Sequence, residues 1–224
     1  MAPVSTCLLL HGAGSTPEFM QRAFGAAAAE AQFELLTPDV SGMSIPQMLE
    51  LLDSIPADVI GGVSLGAHAA ALYAARFGWS GPVYAVMPAW LGEPGPVAGL
   101  TAHTAQRLQT QSLEAVLAEF RAAATTDWIA AELVRAWSTM SPHHLAHVLR
   151  VAAVQPAPTV EDLRTIQGPV TVVALADDPT HPEEVAVEWA AAPNGALHRV
   201  ARHAGPLGLA QMLPQVLARV SASR

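Results

Sequence analysis

The sequence contains no lysine: all eleven basic residues are arginine, set against nineteen acids for a formal charge of −8 over 224 residues. The arginines form no run able to neutralise a row of phosphates, so nucleic acid is not an expected partner. Without lysine, a phosphate loop ending in Gly-Lys is excluded as well. Cysteine is nearly absent too. Cys7 alone cannot close a disulfide within the chain, and one thiol is too few for a cysteine-built zinc site. No apolar run reaches the ~18 residues that would cross a bilayer. The N-terminus lacks a basic segment, and the apolar run Cys7 to Leu10 is cut short by His11-Gly12, which is not the pattern of an export signal. The expectation is a cytoplasmic protein without a membrane partner. Charged residues make up only 13% and hydrophobic ones 51%, which excludes a disordered solvating segment and provides for one well-filled core.

What is present is an alternation of short apolar runs and longer helical stretches, the pattern of a mostly parallel, doubly wound sheet covered on both faces. Strands are expected at Val4 to Leu10, Phe33 to Pro38, Asp58 to Val63, Val83 to Met87, Val170 to Leu175 and Ala196 to Ala201, about six in all. Helices are expected at Phe19 to Gln32, Ile45 to Asp53, Ala67 to Phe77, Glu183 to Ala192 and at the C-terminus up to Val220. From about Trp90 to Ile166 the strand signal disappears. Leu113, Val116, Leu117 and Phe120 share one helical face there, and Pro142 and Pro156 break the helices. One α/β domain is therefore expected, with a core at 1–93 and 167–224 and an inserted helical lid at 94–166.

Gly62-Val63-Ser64-Leu65-Gly66 fits the pattern G-x-S-x-G and stands between an expected buried strand and an expected helix. So sharp a turn crowds the positions on either side of the serine, which calls for Gly62 and Gly66. It would expose the Ser64 hydroxyl at the carboxyl edge of the sheet and leave the Leu65 N–H at a helix N-terminus, where a developing oxyanion is favoured. A second donor is expected from His11-Gly12-Ala13-Gly14, through the Ala13 N–H. A dinucleotide reading of that loop fails because the third glycine of G-x-G-x-x-G would fall on Pro17.

These phrases, with Thr37-Pro38-Asp39 and the stretch from Leu163 into Val170 to Asp178, resemble the α/β-hydrolase-fold serine hydrolases of compact, helical-lid type, over nearly the whole chain. The resemblance implies a Ser, acid, His order of catalytic residues. Here it yields Ser64, Asp178 and His203. Asp178 is preferred over Asp177 because Asp178-Pro179-Thr180-His181-Pro182 matches the family phrase in register. His203 is preferred over His198 because it lies in the loop beyond the last strand, although Arg202 stands where the family has glycine. The family usually has two antiparallel strands before the oxyanion loop, so the resemblance implies an N-terminally shortened fold, and a second copy of the chain is expected as a cover for its exposed edge.

The implied activity is hydrolysis of a small to medium acyl ester, without cofactor. Thioester, lactone, amide or carbon–carbon bond cleavage would use the same residues, and a non-catalytic binding protein is the rival reading. Met87, Trp90, Trp128 and Trp137 are expected to pack the core and lid and to line the pocket, while Met43 and Met140 are expected in the core first. His143, His144 and His147 have a zinc-compatible spacing, but no glutamate stands between them and Pro142 marks an ordinary helix start, so no metal is expected. His68 reads as a residue of the helix after the serine.

Overall fold

A computed structural model describes residues 5–222. Val4, expected to open the first strand, lies outside the described residues. Six strands, all parallel, form one sheet: β1 (Ser5–Leu10), β2 (Phe33–Leu36), β3 (Val59–Val63), β4 (Val83–Val86), β5 (Val170–Leu175) and β6 (Gly195–Val200), in the order β2-β1-β3-β4-β5-β6. The described strands are thus wholly rather than mostly parallel. Each strand was expected to within about two residues.

The period-two alternation of the strands divides the core. Leu8, Leu10, Ile60, Val83, Val172 and Ala174 face one side of the sheet, where they meet α2 (Ile45–Ser54), α3 (Leu65–Phe77), α8 (Val160–Thr165) and α9 (Glu183–Ala190). Cys7, Leu9, Tyr84, Val86, Val173 and Leu175 face the other side and meet α1 (Pro17–Glu30) and α11 (Leu213–Ala222). Cys7 is one of these packing residues, and burial pushes its thiol up to about 12.

Local chemistry starts the helices where they are needed. Thr16 accepts the Phe19 N–H ahead of Pro17 at the first position of α1, and Ser44 and Gln47 form a capping box on α2. Between β4 and β5 run α4 (Pro96–Thr110), α5 (Leu113–Ala123), α6 (Trp128–Trp137), α7 (Pro142–Ala152) and α8. The first four share a separate small core built on Leu108, Val116, Leu117, Trp137, Leu145 and Leu149. After β6 the chain makes one 3-10 turn, Arg202–Ala204, then the short α10 (Gly205–Gly208) and α11.

The strand order reverses between β1 and β3, whose neighbours lie on opposite sides. In an open parallel sheet that reversal leaves a crevice beyond the carboxyl ends of the two strands. The loop His11 to Gly14 and the turn at Ser64 both open into it. Among the described residues, no helix is long and apolar enough to cross a membrane.

Candidate active site

Ser64 sits between β3 and α3 with φ 53° and ψ −114°, a left-handed conformation that costs on the order of 1–3 kcal/mol for a residue with a side chain. The turn is held by packing that leaves no room for a β-carbon on either side. One at Gly62 would fall 2.4 Å from the Leu10 carbonyl oxygen, and one at Gly66 would fall 2.2 Å from the same atom. The Ser64 N–H donates to the Val86 carbonyl at 2.8 Å, which ties the turn to the end of β4.

The ring that reaches Ser64 is that of His181, not His203. His181 Nε2 lies 3.1 Å from Ser64 Oγ, and His181 Nδ1 lies 2.8 Å from Asp178 Oδ2. Asp178, on the loop after β5, is almost completely enclosed. Burial pushes its carboxyl up, but the hydrogen bond and charge of His181 and two bonds from Thr180 outweigh it and bring the group down to about 2. An ionised carboxylate only accepts, so Nδ1 carries the imidazole proton and donates it to Asp178. Nε2 then presents its lone pair to the Ser64 O–H, which donates. Asp177, the other acid considered, is exposed with φ 57°; its carbonyl accepts from Arg202 Nη1 at 3.2 Å, and its carboxylate has no hydrogen bond among the described residues.

His203 misses the site because of the turn that carries it. Arg202 points inward from the 3-10 turn: Nη1 reaches the Asp177 carbonyl, Nη2 reaches Asp127 Oδ2 at 2.8 Å, and Asp178 Oδ1 lies 4.0 Å from Nη1. Successive residues of a 3-10 helix point about 120° apart, so with Arg202 committed to the acid loop the next side chain turns to solvent. His203 is exposed, with no hydrogen bond among the described residues. His198 lies on β6 near Gln211 and also stays away from Ser64.

Ala13 and Leu65, the residues expected to donate to an oxyanion, line a cavity together with Ser64. The Leu65 N–H belongs to the first turn of α3, where backbone donors have no partner within the helix. The Ala13 N–H, like that of Leu65, is engaged by no other described residue. Gly12 brings this loop against Ser64, for a β-carbon there would sit 3.2 Å from Ser64 Cβ. His11, completely buried, steadies the loop: Nε2 accepts the Val40 N–H at 3.0 Å, with Asp39 Oδ1 3.2 Å away, and Nδ1 donates to the Gly12 carbonyl at 2.9 Å.

Beneath the turn, His68 Nε2 accepts the Ala89 N–H at 3.0 Å. Burial, and secondarily the neighbouring His181, press its imidazole down to about 3, so it stays uncharged. The two tryptophans that bracket α6 tie the inserted helices to the core loops. Trp137 Nε1 donates to the Gly14 carbonyl and Trp128 Nε1 to the Arg202 carbonyl, each at 3.0 Å. Met87 and Trp128 line one cavity beside Ser64, and Trp90 and Trp137 line another. Met43 packs partly buried against the core of the α2 and α3 face, Met140 against that of α4 to α7. His143, His144 and His147 are all exposed on α7, and among the described residues no group of three candidate ligands is arranged to hold a metal.

Sequence reasoning missed His181, Thr180, and the Arg202–Asp127 pair. His181 stood in the phrase that selected Asp178 and obeys the same chain order. An i, i+3 spacing within one loop was its only sequence signal.

Strand order, helices on both sides and a strained serine turn at the carboxyl edge, between β3 and α3, settle the architecture. The chain has the α/β-hydrolase fold. Solved structures of that fold match along most of their length. A thermophilic esterase from Thermogutta terrifontis superposes with a TM-score of 0.71 at 15% identity, covering 98% of this chain and 89% of its own. The enol-lactonase from Burkholderia xenovorans gives 0.69 at 15%, covering 99% and 92%. A bromoperoxidase from Bacillus anthracis gives 0.70 at 19%, covering 98% and 92%. No protein-family model matches the sequence, and no curated protein sequence matches it.

Proposed function

We propose that this protein is a serine hydrolase that cleaves a small to medium, uncharged acyl ester through an acyl-enzyme, with Ser64 as nucleophile, His181 as base and Asp178 as the group that orients it. The observation that carries the reading is the unbroken hydrogen-bonded series from Ser64 Oγ through both nitrogens of His181 to a buried carboxylate. The esterase and enol-lactonase of the same fold are consistent with chemistry at an ester carbonyl. The bromoperoxidase is a reminder that fold does not choose the reaction.

In this mechanism Ser64 Oγ attacks the ester carbonyl carbon while its proton passes to His181 Nε2. The carbonyl oxygen takes the negative charge and lies against the Leu65 and Ala13 N–H groups, a donor of this kind being worth about 3–4 kcal/mol in a comparable hydrolase. As the tetrahedral centre collapses, the bond to the alcohol oxygen breaks and His181 returns the proton to that leaving group. Water then attacks the acyl-enzyme with His181 again taking a proton, and the acid departs as Ser64 recovers its own. The segment from α4 to α8 acts as the lid, supplying the apolar walls above the serine.

A fluorophosphonate probe tests the reading together with p-nitrophenyl esters of increasing chain length. Stoichiometric labelling at Ser64, lost in Ser64→Ala, and ester turnover that collapses in His181→Ala are expected. Folded protein that neither labels nor turns over any ester would make the chain a non-catalytic binding protein instead.

A further inference from the structure

Two adjoining cavities, of about 100 and 210 Å³, meet at Ser64. They share Ala13, Ser64 and His181 at the reacting centre, together with Ile129 and Leu133. Ile129 and Leu133 are one helical turn apart on α6 and so lie on one face of it. That face borders both cavities, so that α6 stands where the two chambers adjoin.

The chambers are alike in chemistry and unlike in size. The smaller is walled by Phe19, Met87, Trp128 and Leu209, the larger by Trp90, Leu100, Phe120 and Trp137. Neither is lined by an arginine. Among the described residues the only charged side chain in either lining, apart from the His181 ring, is Glu132, in the smaller chamber, and its carboxylate is already paired with Arg22 and Arg135. In the larger chamber the Thr101 and Thr104 hydroxyls donate to carbonyls of their own helix and the Trp137 indole donates to Gly14, while the buried Trp90 indole N–H has no partner among the described residues and can only donate, which offers a carboxylate no charge. A carboxylate-bearing substrate would lose its hydration with no cation to replace it.

On the serine-hydrolase reading above, we infer that the substrate is a neutral, acyclic ester with an apolar group on each side of the ester linkage, one in each chamber. A lactone joins both sides of its ester in one ring and has no second arm to place. An ester with a methyl group on one side leaves one chamber unused.

The test is a matrix of simple esters in which acyl and alkyl lengths vary independently, with a six-membered lactone and an ω-carboxylate ester added, all run on enzyme whose Ser64 is labelled by the fluorophosphonate. Lengthening either arm from one to three carbons should raise kcat/KM. One series should then fall off at a shorter chain than the other, and the lactone and the carboxylate ester should each lie at least about tenfold below the matched neutral acyclic ester. Ser15→Phe narrows the smaller chamber and Thr104→Trp the larger. Relative to each variant's own rate on the shortest ester, each should cut the longest members of one series by about tenfold or more, and the two variants should affect different series. If either fails to fold by circular dichroism, the wild-type matrix decides alone. Rates that fall from the first carbon added to one arm, a lactone or carboxylate ester equal to the neutral acyclic one, or two variants that shorten the same series would each overturn the inference while leaving the hydrolase reading intact. Absence of Ser64 labelling would remove both.

Discussion

Ser64 and His181 face each other across 3.1 Å, but they are held in place by different means. Ser64 is positioned by backbone: a left-handed φ, glycines at 62 and 66 pressed against Leu10, and its own N–H on Val86. His181 is positioned by side chains. Asp178 holds one nitrogen, Thr180 braces Asp178, and Arg202 reaches the loop at Asp177, twenty-five residues earlier in the chain, while also grasping Asp127 at the start of α6. A backbone device is written in a few adjacent residues and tolerates almost no change in them. A side-chain device joins one short loop, Asp178 to His181, to residues far along the chain, and several histidines compete on paper for one role.

The largest contrast expected is between the two histidines. Ser64→Ala and His181→Ala should each lower kcat on the order of 10⁴-fold or more, the scale seen when one member of such a set is removed, whereas His203→Ala should stay within about twofold. Steady-state ester hydrolysis checks this, and equal losses in both histidine variants would return the base role to position 203. Next comes the backbone side. Gly66→Ala must displace Leu10 or the turn itself, with a loss of about 2–4 kcal/mol in urea unfolding. Thr180→Ala, which removes one of several bonds to Asp178, should cost about 1 kcal/mol.

The two sides also separate in pH. His68, under the serine turn, has its folded value pressed from 6.5 to about 3, so the unfolded chain takes up its proton first and stability declines as pH falls below about 6.5. Asp178 has its folded value lowered from 3.8 to about 2. Its contribution of roughly 2 kcal/mol is complete above pH 4 or so and is lost only as pH falls toward 2. Urea midpoints measured from pH 7 to 2 should show both declines in the wild type. Asp178→Asn should flatten the lower one alone.

The smallest effect belongs to the tie between the Arg202 turn and the start of α6. A double-mutant cycle of Arg202→Met with Asp127→Asn should give a coupling of about 1 kcal/mol in stability, as for a partly exposed ion pair. Turnover should change through kcat more than KM if Arg202 steadies the acid loop. A change confined to KM would mean that it acts through the wall of the smaller chamber only.

Hydrophobic periodicity and turn chemistry made the six strands and most of the flanking helices legible in advance, because each depends on contacts within a few residues of the chain. The serine turn was legible for the same reason: Gly62, Ser64 and Gly66 state their own conformational demand. Asp178 was also readable, from the acid and proline that follow β5. The base was not. Choosing between His181 and His203 depends on where Arg202 points, and that depends on Asp127, seventy-five residues away, and on a 3-10 turn whose sequence has no strong signature. The pair of cavities was equally out of reach, since Ile129 and Leu133 border both only after α6 is pinned by the Trp128 and Trp137 indoles. Local backbone preference is a property of short stretches and survives reading in one dimension. Which side chain fills a given point in space follows from the packing of the whole chain, and that is where the imidazole and the two chambers were chosen.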